Sequence, residues 1–180
     1  MILENNLYGQ NILLRTAEPE DAEFILSLRL NPDLSKYLKP IDPSVEKQRK
    51  WIEKKKIEPN DYHMIIENKS SEKLGVVAIY EKLNIKWANG DFNWGRWIIS
   101  REAPFMVAFE SMVLVYNFAF FSLNLRRALF EVRKNNKRVH AYHFSYGANI
   151  VSIEDTYHWF EFTVESFLNN EKMREYKNSL

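Results

Sequence analysis

The chain has 180 residues, 46% hydrophobic and 27% charged, enough for one domain with a substantial core. Its 25 basic and 24 acidic residues leave a net charge of +1, which gives no electrostatic footprint for nucleic acid or an anionic membrane. There is no cysteine, which excludes disulfides, thiolate metal sites and a cysteine nucleophile.

The opening MILENNLYGQ carries neither a basic n-region nor an apolar stretch, so no secretory leader is expected, and a cytoplasmic location fits the cysteine-free composition. NILLR predicts a short strand. Pro19 then falls in the first turn of a helix over about 18–30, with Thr16 as a possible cap and acidic residues following, and that helix ends before Pro32. A second helix is predicted over about 44–57, polar on most faces. YHMIIEN, KLGVVAIYEK and FNWGRWIIS read as three strands; KSSE and WANGD between them predict antiparallel hairpins.

Residues 105–123, FMVAFESMVLVYNFAFFSL, are mostly apolar, but Glu110, Ser111, Asn117 and Ser122 interrupt them. A buried central helix is expected rather than a membrane span. A strand RALFEVR, a helix over about 136–146 and a strand TYHWFEFT follow. The tail VESFLNNEKMREYKN reads as helical and exposed. The order predicts an α/β or α+β sheet, antiparallel in its first half, with helices on its faces. No repeat or linker divides the chain, so residues 1–180 read as a single domain.

His140 and His143 lie one helical turn apart and can share a face. Glu154, Asp155 and His158 follow, but no metal-ligand motif is formed, so no metal is expected. His140 is expected to be exposed. From the chain alone, His143 is either a helix-surface residue or a proton carrier.

Several phrases, in order, resemble the GNAT acyltransferase superfamily, particularly its ribosomal-protein and nucleotide-linked amino-sugar acetyltransferase branch. LRLNPDLSKYL is similar to the Arg-x-x-Pro-Asp phrase of the amino-sugar enzymes, and NWGRWIIS to the family's central strand. LNLRRALFEVRKNNKRV resembles the next strand with its Asn-x-x-Ala helix start, and AYHFSYGA the phrase that ends in Gly-aromatic. The resemblance spans about residues 11–163, leaving 164–180 as a C-terminal helical tail. It implies a mixed sheet of six to seven strands with splayed central strands and helices on both faces. It also implies transfer of an acyl group from acetyl-CoA or another acyl-CoA to an amine.

On this resemblance the coenzyme's pantetheine arm lies in the splay, bonded by the backbone of Trp97, Ile98 and Ile99. Its pyrophosphate meets the next helix start at Met106, Val107 and Ala108, where helix N–H groups and the helix dipole favour anions. Ala108 matches the family pattern; Met106 stands where glycine is expected. Asn136 and Tyr142 take further donor-side places. His143 falls on a family tyrosine that protonates the departing thiolate. The expelled thiolate needs a proton, and imidazole near pKa ~6.5 can deliver one or serve as the amine's base. The family's acidic position is Asn93, which cannot be a base, so Asp91, Glu131 and His143 remain the candidate proton acceptors.

Arg29 matches an arginine of the amino-sugar branch, and a guanidinium can clamp a diphosphate. Tyr37 and Trp94 are candidate walls for a base or sugar. The competing readings are a helix-surface ion pair of Arg29 with Glu23 or Asp33, core packing for Trp94, and a plain strand carboxylate for Glu131. The expected acceptor is a nucleotide-linked amino sugar in surface glycan biosynthesis. A protein N-terminus, a peptide or a polyamine are alternatives, as is a fold that binds without catalysis. A homodimer is compatible with the aromatic YHWFEF strand.

Overall fold

The computed structural model describes all 180 residues. Eight strands form one sheet in the order β1-β2-β3-β4-β5-β6-β8-β7. They are β1 (Leu7–Tyr8), β2 (Ile12–Thr16), β3 (Asp61–Asn68), β4 (Lys73–Tyr80), β5 (Asp91–Ile99), β6 (Arg127–Arg133), β7 (Asn149–Ile153) and β8 (Tyr157–Thr163). The helices are α1 (Ala22–Leu30), α2 (Pro32–Ser35), α3 (Val45–Ile57), α4 (Met106–Asn117), α5 (Lys137–Ser145), α6 (Val164–Asn169) and α7 (Glu171–Asn178). Two strands exceed the sequence expectation of six to seven: β1 is a two-residue edge piece, and β7 is almost wholly exposed. Neither carries the buried alternation that marks a strand in a sequence.

The central strands send alternate side chains to two faces. Met64, Ile66, Val77 and Ile79 join a large core with α4, while Ile65, Val76 and Ile98 join a smaller one with Ile25, Leu28 and Ile52 of α1 and α3. Helix α3 begins at Ser44, whose hydroxyl accepts from the Lys47 N–H. Only Ile52 of α3 is buried, in keeping with its polar sequence.

The polar residues inside the apolar segment anchor α4. Buried Glu110 accepts from the Asn11 backbone N–H at 3.0 Å, and Ser111 accepts from the Trp97 indole at 3.2 Å. No helix is long and apolar enough to cross a membrane. The C-terminal tail departs from its expected exposure: Phe167 and Met173 are fully buried in the large core. The amphipathic period of α7 supplied that inward face, and the strand-to-helix turn capped by Thr163 aims it.

Strands β5 and β6 run parallel but pair only at Asp91↔Arg127 and Phe92↔Ala128. Beyond them β5 carries one extra residue against β4, between Ala78↔Gly95 and Val76↔Ile98. Arg96 sits in that bulge in the left-handed region, at φ 49°. A bulge bends its strand, and here it coincides with the divergence of β5 from β6. Gly75 faces the bulge, and a Cβ there would lie 2.6 Å from the Ile98 carbonyl oxygen, so a side chain has no room.

Candidate active site

A cavity of about 380 Å³ occupies the split between β5 and β6. His143 of α5 forms part of its wall. The ring is 4% exposed and packs on Phe130 (4.6 Å between centroids), Trp94 (5.6 Å) and Phe160 (5.8 Å). Burial, assisted by His140, lowers its pKa to about 3, so the ring is neutral at physiological pH. A neutral imidazole has one nitrogen to accept a proton and one to donate a hydrogen bond.

Trp94 is buried in the core and also lines the cavity, its indole N–H without a partner. Trp97 follows the bulge, with its ring 5.6 Å from that of Tyr142. Ile98 and Ile99 pair with Val76 and Gly75 on one edge and have no strand partner on the β6 side. Their free-edge peptide groups face the split, where a ligand can take the place of a strand. Asn136 lines the cavity and caps α5, accepting from the Val139 N–H at 3.4 Å.

On the far side of Trp97 and Tyr142, a groove of about 610 Å³ runs past the start of α4. Phe105, Met106, Phe109, Tyr142 and Lys172 contribute to it. Phe105 is 93% exposed and Met106 37%, so neither is packed down over the helix start, whose first N–H groups are intrinsically unpaired. Val107 points into the core and Ala108 is half-buried. The Tyr142 hydroxyl is buried without a partner, and burial pushes its phenol far above the usual range, which rules it out as a proton donor. An unpaired helix start, a lysine and an orphan hydroxyl together fit an elongated phosphorylated ligand such as coenzyme A.

Asp91 and Glu131 have different surroundings. Asp91 lies at the joined end of the strands, outside the cavity, where Arg127 grips both its oxygens at 2.8 Å. That geometry makes it a structural anchor for the parallel pair, not a base. Glu131 lines the cavity and pairs with Lys82 at 2.9 Å.

Arg29 has no carboxylate partner. Glu23 is met by Arg49 and Asp33 by Arg101, while one Arg29 nitrogen donates to the Lys39 carbonyl at 2.7 Å and its Nε is buried and unpaired. Tyr37 lines the same cavity and donates to the Asn135 carbonyl. His140, expected to be exposed, is 6% exposed and stacks on His158 (4.9 Å) and Phe160 (5.2 Å). Helix α5 lies flat on β8, so both histidines turn inward. No cluster of metal-ligating side chains forms.

Sequence reasoning passed over Arg96, Tyr80 and Arg133, all of which line the cavity. Arg96 stacks on Tyr80 at 4.1 Å and forms a fork with Asp61 at 2.6 and 2.8 Å. The available signal was Gly95 inside a strand, a common mark of a bulge.

A split parallel pair, with a neutral imidazole in the gap and a groove leading to a helix start, defines an enzyme that brings an acyl thioester to an amine. The acetyltransferase (GNAT) domain model matches residues 11–149, and the chain belongs to that family of acyl-CoA-dependent N-acetyltransferases. Among solved structures it is similar to apo FdhC, a nucleotide-linked sugar GNAT, at 29% identity and TM-score 0.84 over 97% of this chain and 98% of that one. A variant of the spermidine N-acetyltransferase SpeG from Vibrio cholerae matches at 18% identity and TM-score 0.73, over 88% and 96%. A GCN5-related N-acetyltransferase from Brucella melitensis matches at 16% and 0.78, over 98% and 85%. These last two share the fold. No curated protein sequence gives a significant match.

Proposed function

We propose that the enzyme acetylates the primary amine of a nucleotide-linked amino sugar, in the service of glycan assembly. One observation carries the choice of acceptor: the cavity wall holds five basic side chains, Arg29, Lys39, Lys82, Arg96 and Arg133, against one acidic, Glu131. Arg96 and Lys82 are neutralised by Asp61 and Glu131, which leaves Arg29, Lys39 and Arg133 to attract an anion. A diphosphate suits this wall; a polycationic polyamine does not. The 29% identity to a nucleotide-linked sugar GNAT over nearly the full chain supports the same reading.

Arg29 binds the diphosphate, its unpaired Nε supplying a buried donor. Tyr37 and Trp94 bound the sugar. The free edge of Trp97, Ile98 and Ile99 holds the pantetheine arm, with Asn136 and Tyr142 on the opposite wall. The start of α4 at Met106, Val107 and Ala108 receives the pyrophosphate. Acetyl-CoA supplies an activated acyl group, so no covalent enzyme intermediate is needed.

His143 rests neutral and accepts a proton from the attacking nitrogen. Its imidazolium then returns that proton to the thiolate sulfur. Negative charge developing on sulfur raises the ring's proton affinity at the moment of need, since an opposite charge favours the charged form. Glu131, held by Lys82, assists in orienting the amine.

The reading is tested by incubating the protein with acetyl-CoA and a panel of nucleotide-linked amino sugars, peptides and spermidine, and following free thiol. Thiol release with an amino-sugar nucleotide, matched by an N-acetyl product in mass spectra, is expected. Release with spermidine or peptides alone overturns the assigned acceptor.

A further inference from the structure

A second cavity, of about 330 Å³, lies on the opposite face of the sheet, between α1, α3 and the strands. Arg29 and Arg96 line both cavities, so the two meet at these guanidinium groups. His63 of β3 borders the second cavity. It is 5% exposed, and neither ring nitrogen has a hydrogen-bond partner. Its ring stands edge-on to Trp51 at 5.0 Å. The catalytic cleft uses neither residue.

A buried imidazole with both nitrogens unpaired costs stability, and an apolar ring of the same shape would avoid the cost. Such a group on a cavity wall is a mark of ligand recognition. Burial lowers the His63 pKa to about 3, so it presents one donor and one acceptor. Gln48 of α3 adds an amide with both functions, and the unpaired Arg29 Nε adds another donor. Donors thus outnumber acceptors. Trp51 and Ile25 give the cavity apolar sides suited to a flat ring, and its volume is at the small end for ligand pockets.

We propose that this cavity is the nucleobase subsite, taking the imide edge of a uracil- or thymine-type pyrimidine, with His63 and Gln48 as its specificity residues. An imide presents two carbonyl oxygens flanking one N–H, which matches the excess of donors. The proposal rests on the nucleotide-linked acceptor and extends it. The base enters between α1 and α3, the diphosphate lies across Arg29, and the amino sugar projects into the split beside His143.

Isothermal titration with UDP, TDP, ADP, GDP and inorganic pyrophosphate tests it, on the wild type, His63→Phe and Gln48→Ala. His63→Phe removes both ring nitrogens while keeping a flat ring, and Gln48 is only half-buried, so both variants should fold. The expected result is tighter binding of UDP and TDP than of the purine diphosphates or pyrophosphate. Each substitution should weaken UDP and TDP at least ~10-fold, the scale of one lost buried hydrogen bond, and leave pyrophosphate and acetyl-CoA unaffected. Equal or tighter purine binding overturns the pyrimidine assignment. Unchanged UDP and TDP affinity in both variants overturns the subsite while the acetylation of nucleotide sugars stands. If the wild type binds no nucleoside diphosphate and acetylates no nucleotide sugar, the assigned acceptor fails and the subsite falls with it.

Discussion

The side-chain amide of Asn93 donates to the backbone carbonyl of Leu129 at 2.7 Å, one residue beyond the last paired position of β5 and β6. It is the link at which the two strands stop being a ladder and become a cleft. Asn93 is 1% exposed, so nothing but this contact answers its amide. A carboxylate here could not donate to the carbonyl, which gives a physical reason for asparagine where relatives carry an acid.

Replacing Asn93 with Ala leaves the Leu129 carbonyl unanswered in a dry site. A loss of about 1–3 kcal/mol is expected, read as a lower urea midpoint. The KM for acetyl-CoA should rise as well, because the apex of the split is no longer fixed. Asn93→Asp should be at least as damaging near neutral pH.

Asp61 holds Arg96 through two bonds and Lys55 at 3.0 Å, and it is 3% exposed. Asp61→Asn leaves a guanidinium uncompensated inside the bulge that opens the cleft. Breaking a buried pair from one side costs about 3–5 kcal/mol. Chemical denaturation should show that loss, and kcat/KM should fall with it. A change confined to stability would mean that the bulge keeps its shape without the ion pair.

The stability of the fold should decline in mild acid. His63 and His143 are each lowered to about 3, mainly by burial, from an unfolded value near ~6.5. Below ~6.5 the unfolded chain binds protons that the folded one refuses, so the stability these rings contribute is full above ~6.5 and drains away as pH falls towards 3. At pH 5 the linkage relation gives a loss of about 2 kcal/mol for each ring. His140, also lowered, adds in the same direction. Melting temperatures between pH 8 and 5 check this, and His63→Phe should flatten the curve.

Local pattern made the β3–β4–β5 hairpins, the two-helix segment before them and α4 legible, because each has a buried alternation or a cap of its own. The family phrases added the order of the second half and placed His143 in the cleft. What stayed hidden depends on contacts across the chain. His140 is buried because β8 lies beneath α5, and Asp91 is anchored because Arg127 stands opposite it in a parallel pair. Arg96 looked like one more strand residue. Its left-handed backbone and its grip on Asp61 arise only when β3, β4 and β5 are side by side.

The most direct test of the cleft is single-turnover thiol release with acetyl-CoA and an accepted amino-sugar nucleotide, comparing wild type with His143→Phe. Phenylalanine preserves the packing on Trp94 and Phe130 but carries no proton. The rate should drop by roughly 10²–10⁴-fold, the range for a lost general acid–base group, with the Kd for acetyl-CoA unchanged. A variant that releases thiol at the wild-type rate would contradict the proton-carrying role of His143.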